Sequence, residues 1–328
     1  DGDGTNDAIE KHVFVFNAEG GIFLMGGINR VAGNYIGTNA TGTSAVPNGQ
    51  GIYVEGALDC GTVIGANGDG VGDAVEGNLI SGNTSAGIAI HNSCITVAGN
   101  KIGVNATGDA GLPNEIGIFI WEFADGTLIG TDGDGVSDDL ERNIISGNTA
   151  EGVGVAILDG EITIAGNYIG TNITGDLALP NDTGIFIDST DHILVGTNGD
   201  GVGDAAEANV ISGNTRFGIA IEGEGATANV VAGNIIGADP SGTAAVANLL
   251  FGVSLTNGAH HNLIGNDGDG LNDAAERNLI SGNAIGIYLG GSNTHENTIA
   301  GNYIGVDAAG SAALANTQGG ISIQEAWG

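Results

Sequence analysis

Short acidic segments recur along the chain with oxygen-bearing side chains at fixed intervals. The complete copies are ANGDGVGDAVEGN (66–78), TDGDGVSDDLERN (131–143), TNGDGVGDAAEAN (197–209) and NDGDGLNDAAERN (266–278), and a fifth, DGDGTNDAIEK, opens the chain. Carboxylate, amide and carbonyl oxygens without His or Cys are the donors that hard dications prefer. The segments therefore predict calcium sites rather than zinc-type sites.

The spacing within each segment resembles the calcium loops of EF-hands and dockerins. Those loops place ligands at positions 1, 3, 5, 7, 9 and 12, with a backbone carbonyl at position 7. Asn67, Asp69, Val71, Asp73 and Glu76 fit positions 3 to 12. The equivalent predicted ligands are Asp1, Asp3, Thr5, Asp7 and Glu10; Asp132, Asp134, Val136, Asp138 and Glu141; Asn198, Asp200, Val202, Asp204 and Glu207; and Asp267, Asp269, Leu271, Asp273 and Glu276.

Position 1 departs from this resemblance, because the four complete copies carry glycine there. Water or a neighbouring loop would have to supply the missing ligand. A plain solvated turn is the alternative, since Asp and Gly both favour turns. Turn chemistry does not account for further acids at the same later positions in five copies, so calcium remains the preferred interpretation.

Charge and composition limit the classes of function. The chain has 39 acidic and 6 basic residues, a formal charge of −33, and 41% apolar residues among 328. Such acidity repels nucleic acid and anionic membranes and attracts cations, although it could also serve solubility alone. The apolar content predicts a packed core. Without a run of about 18 apolar residues, no membrane insertion is expected.

A long repeat and a short repeat organise the whole chain. The acidic segments lie 65 to 69 residues apart, and an Asn-x-Ile-Ser-Gly-Asn and Gly-Ile-x-Ile pattern occurs twice in each interval. The pass from Asn78 to Asn100 takes 22 residues, whereas the pass from Asn100 to Asn143 takes 43 because it also holds a turn insertion and an acidic loop. Three short alternating segments per 22 residues fit one turn of a parallel β-helix. We therefore predict a single all-β domain over 1–328, made of five two-coil repeats and about ten coils.

The alternation assigns faces to the strands. Predicted inward pairs are Ile52/Val54, Ile88/Ile90, Ile118/Ile120, Ile185/Ile187, Ile219/Ile221, Ile287/Leu289 and Ile321/Ile323. Predicted outward residues are Phe23, Tyr53, Ala89, Phe119, Gly154, Phe186, Ala220, Ser254, Tyr288 and Ser322. A column of stacked amides is predicted at asparagines 34, 78, 100, 143, 167, 209, 234, 278 and 302.

The segments NLISGN, GIAI and VAGNKIG resemble those of right-handed parallel β-helices in bacterial surface proteins and polysaccharide-processing enzymes. The resemblance covers nearly the whole chain and implies that fold. It leaves function open, because the same scaffold carries lyases, hydrolases, epimerases, adhesins and inert stalks.

Two cysteines occupy equivalent positions in consecutive coils. Cys60 and Cys94 each lie two residues before the Thr of TVIG and TVAG. Adjacent rungs are about 4.8 Å apart, within reach of a disulfide. The spacing predicts a bridge and an oxidising compartment, with two reduced stacked cysteines as the alternative.

Catalysis receives little support from the sequence. Lyases resembling pectate lyase need an Arg or Lys near calcium. Lys11, Arg142 and Arg277 directly follow the last loop glutamate and are expected to pair with it, while Arg30, Lys101 and Arg216 stand isolated. Hydrolases need two or three carboxylates at one place, whereas these acids are spread by the repeat. The six histidines show no metal spacing. We therefore expect no catalytic residues.

The sequence thus predicts an extracellular, calcium-stabilised structural or adhesive solenoid. Because the repeat would continue in phase from tail to head, we expect end-to-end stacking into a filament, or flanking repeats of a longer chain. The sequons at Asn39, Asn105 and Asn172 are possible glycosylation sites. The alternative function is a polysaccharide-binding or polysaccharide-cleaving β-helix, with sugars stacking on outward aromatic residues.

Overall fold

The computed structural model describes residues 11–325, which wind into a parallel β-solenoid of about nine turns. The predicted all-β solenoid is confirmed, and its coil count is close to the ten expected. The acidic copy at Asp1–Glu10 lies outside the described residues.

Three parallel sheets form the walls of the solenoid, and each full turn contributes one strand to each. Sheet A holds ten strands, sheet B ten and sheet C nine. In chain order the strands are β1 (Val13–Phe14), β2 (Gly20–Met25), β3 (Arg30–Val31), β4 (Tyr35–Ile36), β5 (Gln50–Glu55), β6 (Thr62–Gly65), β7 (Leu79–Ile80), β8 (Ile88–His91), β9 (Ile95–Ala98), β10 (Lys101–Ile102), β11 (Ile118–Phe123), β12 (Thr127–Gly130), β13 (Ile144–Ile145), β14 (Glu151–Asp159), β15 (Ile162–Ala165), β16 (Tyr168–Ile169), β17 (Thr183–Asp188), β18 (Ile193–Gly196), β19 (Val210–Ile211), β20 (Phe217–Glu222), β21 (Val230–Ala232), β22 (Ile235–Ile236), β23 (Phe251–Thr256), β24 (Leu263–Gly265), β25 (Leu279–Ile280), β26 (Ile285–Gly290), β27 (Thr298–Ala300), β28 (Tyr303–Ile304) and β29 (Gly319–Gln324). Sheet A begins with β1 and β4, sheet B with β2 and β5, and sheet C with β3 and β6, each continuing with every third strand.

Three four-residue helices complete the secondary structure of residues 11–325: α1 (Asp73–Glu76), α2 (Asp138–Glu141) and α3 (Asp204–Glu207). None of the helices in this part of the chain has the length and apolarity required to cross a bilayer.

The core is a stack of like side chains inside the solenoid. Ile52, Ile88 and Ile118 are in register on consecutive strands of sheet B and are fully buried. Alternation at a period of two explains this, because every second side chain of a strand points to the same face. The predicted inward pairs are buried except Ile321 and Ile323, which lie on the terminal strand of sheet B among the described residues and are 47% and 63% exposed.

Several small residues that were predicted to face outward on sheet B are nevertheless buried. Ala89, in register between Tyr53 and Phe119, is 1% exposed. The Phe119 ring also lies over Gly154, where an added Cβ would come within 3.2 Å of it. Aromatic side chains on neighbouring strands therefore cover the small residues between them.

Two long columns of asparagine side chains run along the solenoid. The predicted column from Asn34 to Asn302 is confirmed, with each amide nitrogen donating to the next side-chain oxygen at 2.9–3.2 Å. The second column has the same geometry at 2.8–3.3 Å. Its members, which the sequence analysis did not identify, are Asn17, Asn48, Asn83, Asn114, Asn148, Asn181, Asn214, Asn248, Asn283 and Asn316.

The corners between sheets carry the insertions and the disulfide. A short antiparallel turn follows sheet A in alternate coils, as at the bridge between Thr38 and Ala45. The acidic loops connect sheet C to sheet A at the end of these same coils. Between sheets B and C, Cys60 and Cys94 form the predicted disulfide, with their Cα atoms 4.5 Å apart.

Candidate functional site

The acidic loops form one column at the corner between sheets C and A. They follow β6, β12, β18 and β24, which are alternate strands of sheet C, and α1 contacts α2 directly. A side chain at Gly68 would collide with the carboxylate of Glu141 in the next loop. Successive loops therefore pack against one another along a single edge of the solenoid.

The backbone of each loop alternates into the left-handed region. Gly68, Gly70 and Gly72 have φ values of 69°, 80° and 83°, and Ser137 takes the position of Gly72 in the next loop with a φ of 60°. Glycine adopts this conformation without the steric cost that other residues incur. The repeated Gly-x-Gly spacing is therefore what lets the loop curl so that Asp73 and Glu76 turn inward, whereas Asp69 stays exposed.

Hydrogen bonds hold the carboxylates of the first described loop. Asp69 Oδ1 accepts the Val71 amide at 2.8 Å, Asp73 Oδ2 accepts the Gly70 amide at 2.9 Å, and Glu76 Oε2 accepts the Asn67 amide at 3.2 Å. Asp73 and Glu76 are only 4% and 1% exposed. The buried second oxygen of Asp73 accepts no hydrogen bond.

The structure brings acidic ligand atoms together in two loops. The carboxylate oxygens of Asp132, Asp134 and Asp138 lie within 4.8 Å of one another, as do those of Asp267, Asp273 and Glu276. In the other two described loops, an asparagine replaces one acid at position 3. At position 7 the predicted ligand is the backbone carbonyl, and the side chains of the four residues there are exposed: Val71, Val136, Val202 and Leu271.

The loop glutamates are buried in a way that disfavours their charge. Burial raises the pKa of Glu141 to about 7, with repulsion from Asp132 adding to the effect and a hydrogen bond from Thr131 opposing it. Burial also raises the pKa values of Glu76, Glu207 and Glu276. Asp69 differs, because its hydrogen bond from Asn67 lowers its pKa.

The expected pairing of basic residues with loop glutamates is wrong for Arg142 and Arg277. Arg142 pairs with Asp139 at 3.0 Å and stacks on Tyr168, and Arg277 stacks on Tyr303. The glutamate turns inward at the end of the loop, and the arginine side chain after it stays outside.

The arginines that the sequence left isolated do have acidic partners. Arg30, one turn away, pairs with Glu76. Arg216 lies 3.4 Å from Asp182. Proximity in sequence therefore predicted the ion pairs poorly, because an arginine's acidic partner comes from an adjacent turn, many residues away in the chain.

Two threonines at the start of the loops were missed from the sequence. The Thr131 hydroxyl donates to Glu141 Oε2 at 2.7 Å, and the Thr197 hydroxyl donates to Asp204 at 3.1 Å. Both hydroxyls also accept the amide of the glycine two residues later. The sequence could have indicated this role, because a threonine stands directly before the first predicted ligand in two of the four complete copies.

A second cluster, which we call the aromatic patch, lies on the outer face of sheet B and consists of Phe23, Tyr53, His91, Phe119 and Trp121. The Trp121 ring stacks on His91 at 5.0 Å and on Phe119 at 5.1 Å, between ring centroids. Tyr53 contacts Phe23 and Trp121.

Two glutamates flank the histidine of the aromatic patch. His91 Nε2 lies 2.8 Å from Glu122, and its Nδ1 lies 3.6 Å from Glu55. Tyr53 also donates to Glu55 at 3.2 Å. The sequence gives no sign of this arrangement, because the two glutamates come from neighbouring turns.

The predicted glycosylation asparagines are half-buried, and their side chains are used in the turns that hold them. Asn105 Oδ1 accepts the Asp109 amide at 3.1 Å, and Asn172 Oδ1 accepts the Asp176 amide at 3.1 Å. Asn39 makes the same bond to Thr43, while Asp239 replaces asparagine in a later copy and accepts the equivalent amide. Because aspartate can replace asparagine at this position, the side-chain oxygen has a structural role in the turn.

Comparison with known proteins produced no match: neither the family models, nor the curated proteins, nor the solved structures gave one.

Proposed function

We propose that the protein is an extracellular, calcium-stabilised structural solenoid, a rigid segment of a fibre, filament or adhesive stalk without catalysis. The observation that carries the proposal is the burial of a glutamate carboxylate in each described acidic loop, at 1% to 8% exposure. Among residues 11–325, only Glu76 of these four glutamates has a basic partner.

A bound cation would offset the energetic cost of burying these glutamate carboxylates. Moving a carboxylate out of water costs several kcal/mol unless a counter-charge, a proton or hydrogen bonds offset the penalty. Oxygen donors in an irregular loop suit calcium, which accepts six to eight oxygens with flexible geometry, better than magnesium. Bound calcium would also offset the entropy of closing each loop.

The stacking of the loops suggests how the ions would stiffen the solenoid. Glu141, Glu207 and Glu276 each reach a glycine of the preceding loop, so an ion held by one of these carboxylates would link two repeats of the same edge. The neighbouring loop could thereby supply the ligand that position 1 lacks. The disulfide is compatible with an oxidising, extracellular location, where calcium is plentiful.

Thermal unfolding with and without calcium tests the proposal. We expect calcium to raise the Tm by many degrees over a chelator, magnesium to raise it much less, and Glu141→Gln or Asp73→Asn to remove part of the gain. Glu115→Gln is the control, because Glu115 is an exposed carboxylate outside the loops. Identical melting curves in calcium and chelator would contradict the proposal. Electron microscopy of the native material, with and without calcium, would test end-to-end association.

Polysaccharide binding is a second candidate, favoured by the aromatic patch. Stacked aromatic rings beside hydrogen-bonding acids provide the surface that sugar rings recognise. Glu55 and Glu122 around His91 also bring two carboxylates to one place, as acid–base cleavage of a glycosidic bond requires.

A screen on acidic and neutral polysaccharides separates the two candidates. Binding that falls at least tenfold in Trp121→Ala, but not in a Phe251→Ala control at the other aromatic stack, would support recognition. New reducing or unsaturated ends that disappear in Glu122→Gln would establish an enzyme. Absence of both would leave the structural role.

A further inference from the structure

The corner between sheets B and C places histidines in adjacent columns. Leu194, Val230, Leu263 and Thr298 are in register in sheet C. The residues two positions earlier therefore form one column: His192, Ala228, His261 and Glu296, all with positive φ values. The residues before those form a second column, Asp191, Thr227, His260 and His295, in which bridges join Thr227 to His260 and His260 to His295.

Three side chains from two consecutive turns converge at this corner. Ligand atoms of His261, His295 and Glu296 all lie within 4.8 Å of one another. His261 Nε2 is 2.8 Å from Glu296 Oε2, and His295 Nε2 is 3.9 Å from the same oxygen. The side chains are 57%, 38% and 57% exposed, so an ion can reach them from solvent.

The hydrogen bonding of His295 leaves its Nε2 free to donate a lone pair to a metal ion. His295 Nδ1 lies 2.8 Å from the Asn293 carbonyl oxygen. A carbonyl only accepts, so Nδ1 carries the proton and the neutral ring keeps a lone pair on Nε2. Metal-binding histidines commonly have such a second hydrogen bond.

His260 holds the His295 ring in place. The two rings stack at 4.9 Å with an interplanar angle of 7°, and His260 Nδ1 is fixed in the same way on the Gly258 carbonyl at 2.9 Å. Parallel rings point their lone pairs in the same direction, so His260 and His295 do not converge on one ion. His260 is therefore a positioning residue rather than a ligand.

We propose that His261 Nε2, His295 Nε2 and Glu296 Oε2 form a binding site for a divalent transition-metal ion such as zinc, separate from the calcium loops. In tetrahedral zinc sites with ligand bonds near 2.0–2.2 Å, ligand atoms are about 3.3–3.6 Å apart. The two separations in this cluster, 2.8 Å and 3.9 Å, lie on either side of that range. Small side-chain movements would suffice, and water would complete the shell.

The imidazole ligands separate this site from the acidic loops chemically. Borderline transition ions favour nitrogen donors, whereas calcium prefers oxygen. The two sites also lie at different corners, B to C for the histidines and C to A for the loops. The competing interpretation is an exposed His261–Glu296 ion pair, which would contribute at most about 1 kcal/mol to stability.

Zinc titration by calorimetry, on the full chain in saturating calcium, tests the site. We expect one zinc per chain, with affinity reduced at least tenfold in His261→Ala and in His295→Ala, and reduced in Glu296→Gln. His192→Ala is the matched control, because His192 occupies the same column and is also 57% exposed; its affinity should equal that of the wild type.

Two further measurements make the result decisive. Zinc should shift the 15N resonance of His295 Nε2 and leave that of His192 unchanged. The variants should melt at the wild-type temperature without zinc, because the altered side chains are at least partly exposed. Absence of zinc binding, or binding that is equally tight in all variants, would overturn the proposal.

Discussion

Gly68 lies directly against the carboxylate of Glu141, a residue of the next acidic loop, so that a Cβ at Gly68 would overlap Glu141 Oε1. Gly133 and Glu207, and then Gly199 and Glu276, repeat the relationship. Each loop therefore provides part of the wall around the following glutamate. The acidic edge is a continuous, interlocked structure rather than a series of independent turns.

This contact predicts that Gly68→Ala will destabilise the protein beyond the backbone cost of a non-glycine residue at positive φ, which is about 1–2 kcal/mol. Gly268→Ala is the matched control, because Gly268 has a similar φ, 75° against 69°, and no atom within 4 Å of its added Cβ. Urea unfolding should show the larger loss for Gly68→Ala. Equal losses for the two variants would show that the Glu141 contact contributes nothing.

The raised pKa of Glu141 predicts an unusual pH dependence of the metal-free protein. The folded pKa is about 7 against an ordinary value of 4.5. Folding therefore favours the protonated form, and this group adds stability as the pH falls from about 7 to about 4.5. The gain is on the order of 3 kcal/mol. In chelator, the Tm should rise over that interval, and Glu141→Gln should flatten the slope.

With calcium the dependence should reverse, because protons compete with the ion for the same carboxylates. The Tm in saturating calcium should then fall as the pH decreases below about 7. A metal-free protein whose Tm declines steadily from pH 7 to 5 would be inconsistent with buried, uncompensated glutamates in the loops.

The asparagine column predicts a large cost for one amide deep in the stack. Asn143 is 0% exposed, accepts from Asn100 and donates to Val97 and Asn167. Asn143→Ala would leave several buried polar groups unpaired at about 1–3 kcal/mol each. Asn302→Ala, in the same column but only partly buried, should cost less. Chemical denaturation of both variants gives the comparison, and equal small losses would contradict a stabilising column.

The sequence predicted the fold well because the solenoid depends on local periodicity. The stacking of Ile88 between Ile52 and Ile118 follows from a period of two within a strand and a repeat of fixed length between strands. The same reasoning placed Cys60 near Cys94, although the strands pair Thr62 with Ile95 rather than with Thr96, so the bridged cysteines are offset by one position. Equivalent positions of a repeat become neighbours in a solenoid, so similarity along the chain translates directly into contact.

Contacts between unlike positions were beyond this reasoning. Arg30 pairs with Glu76 although the repeat does not mark them as equivalent, and His295 joins His261 and Glu296 from the neighbouring column. Their proximity depends on the direction of side chains at the corners between sheets. At these corners the backbone is left-handed, and two residues adjacent in sequence belong to different columns. The alternation pattern of strands carries no information about that direction.

The disulfide predicts a stability that depends on redox conditions. Cys60 and Cys94 are 34 residues apart, and closing a loop of this length restricts the unfolded chain by up to about 4 kcal/mol in the chain-entropy account. Cys60→Ser should therefore lower the midpoint of urea unfolding relative to the oxidised wild type, and a reductant should lower the wild type to the level of the variant. The variant itself should be insensitive to reductant, which serves as the internal control. If reductant left the wild-type midpoint unchanged, the bridge would contribute no stability, and the support it gives for an oxidising compartment would be lost.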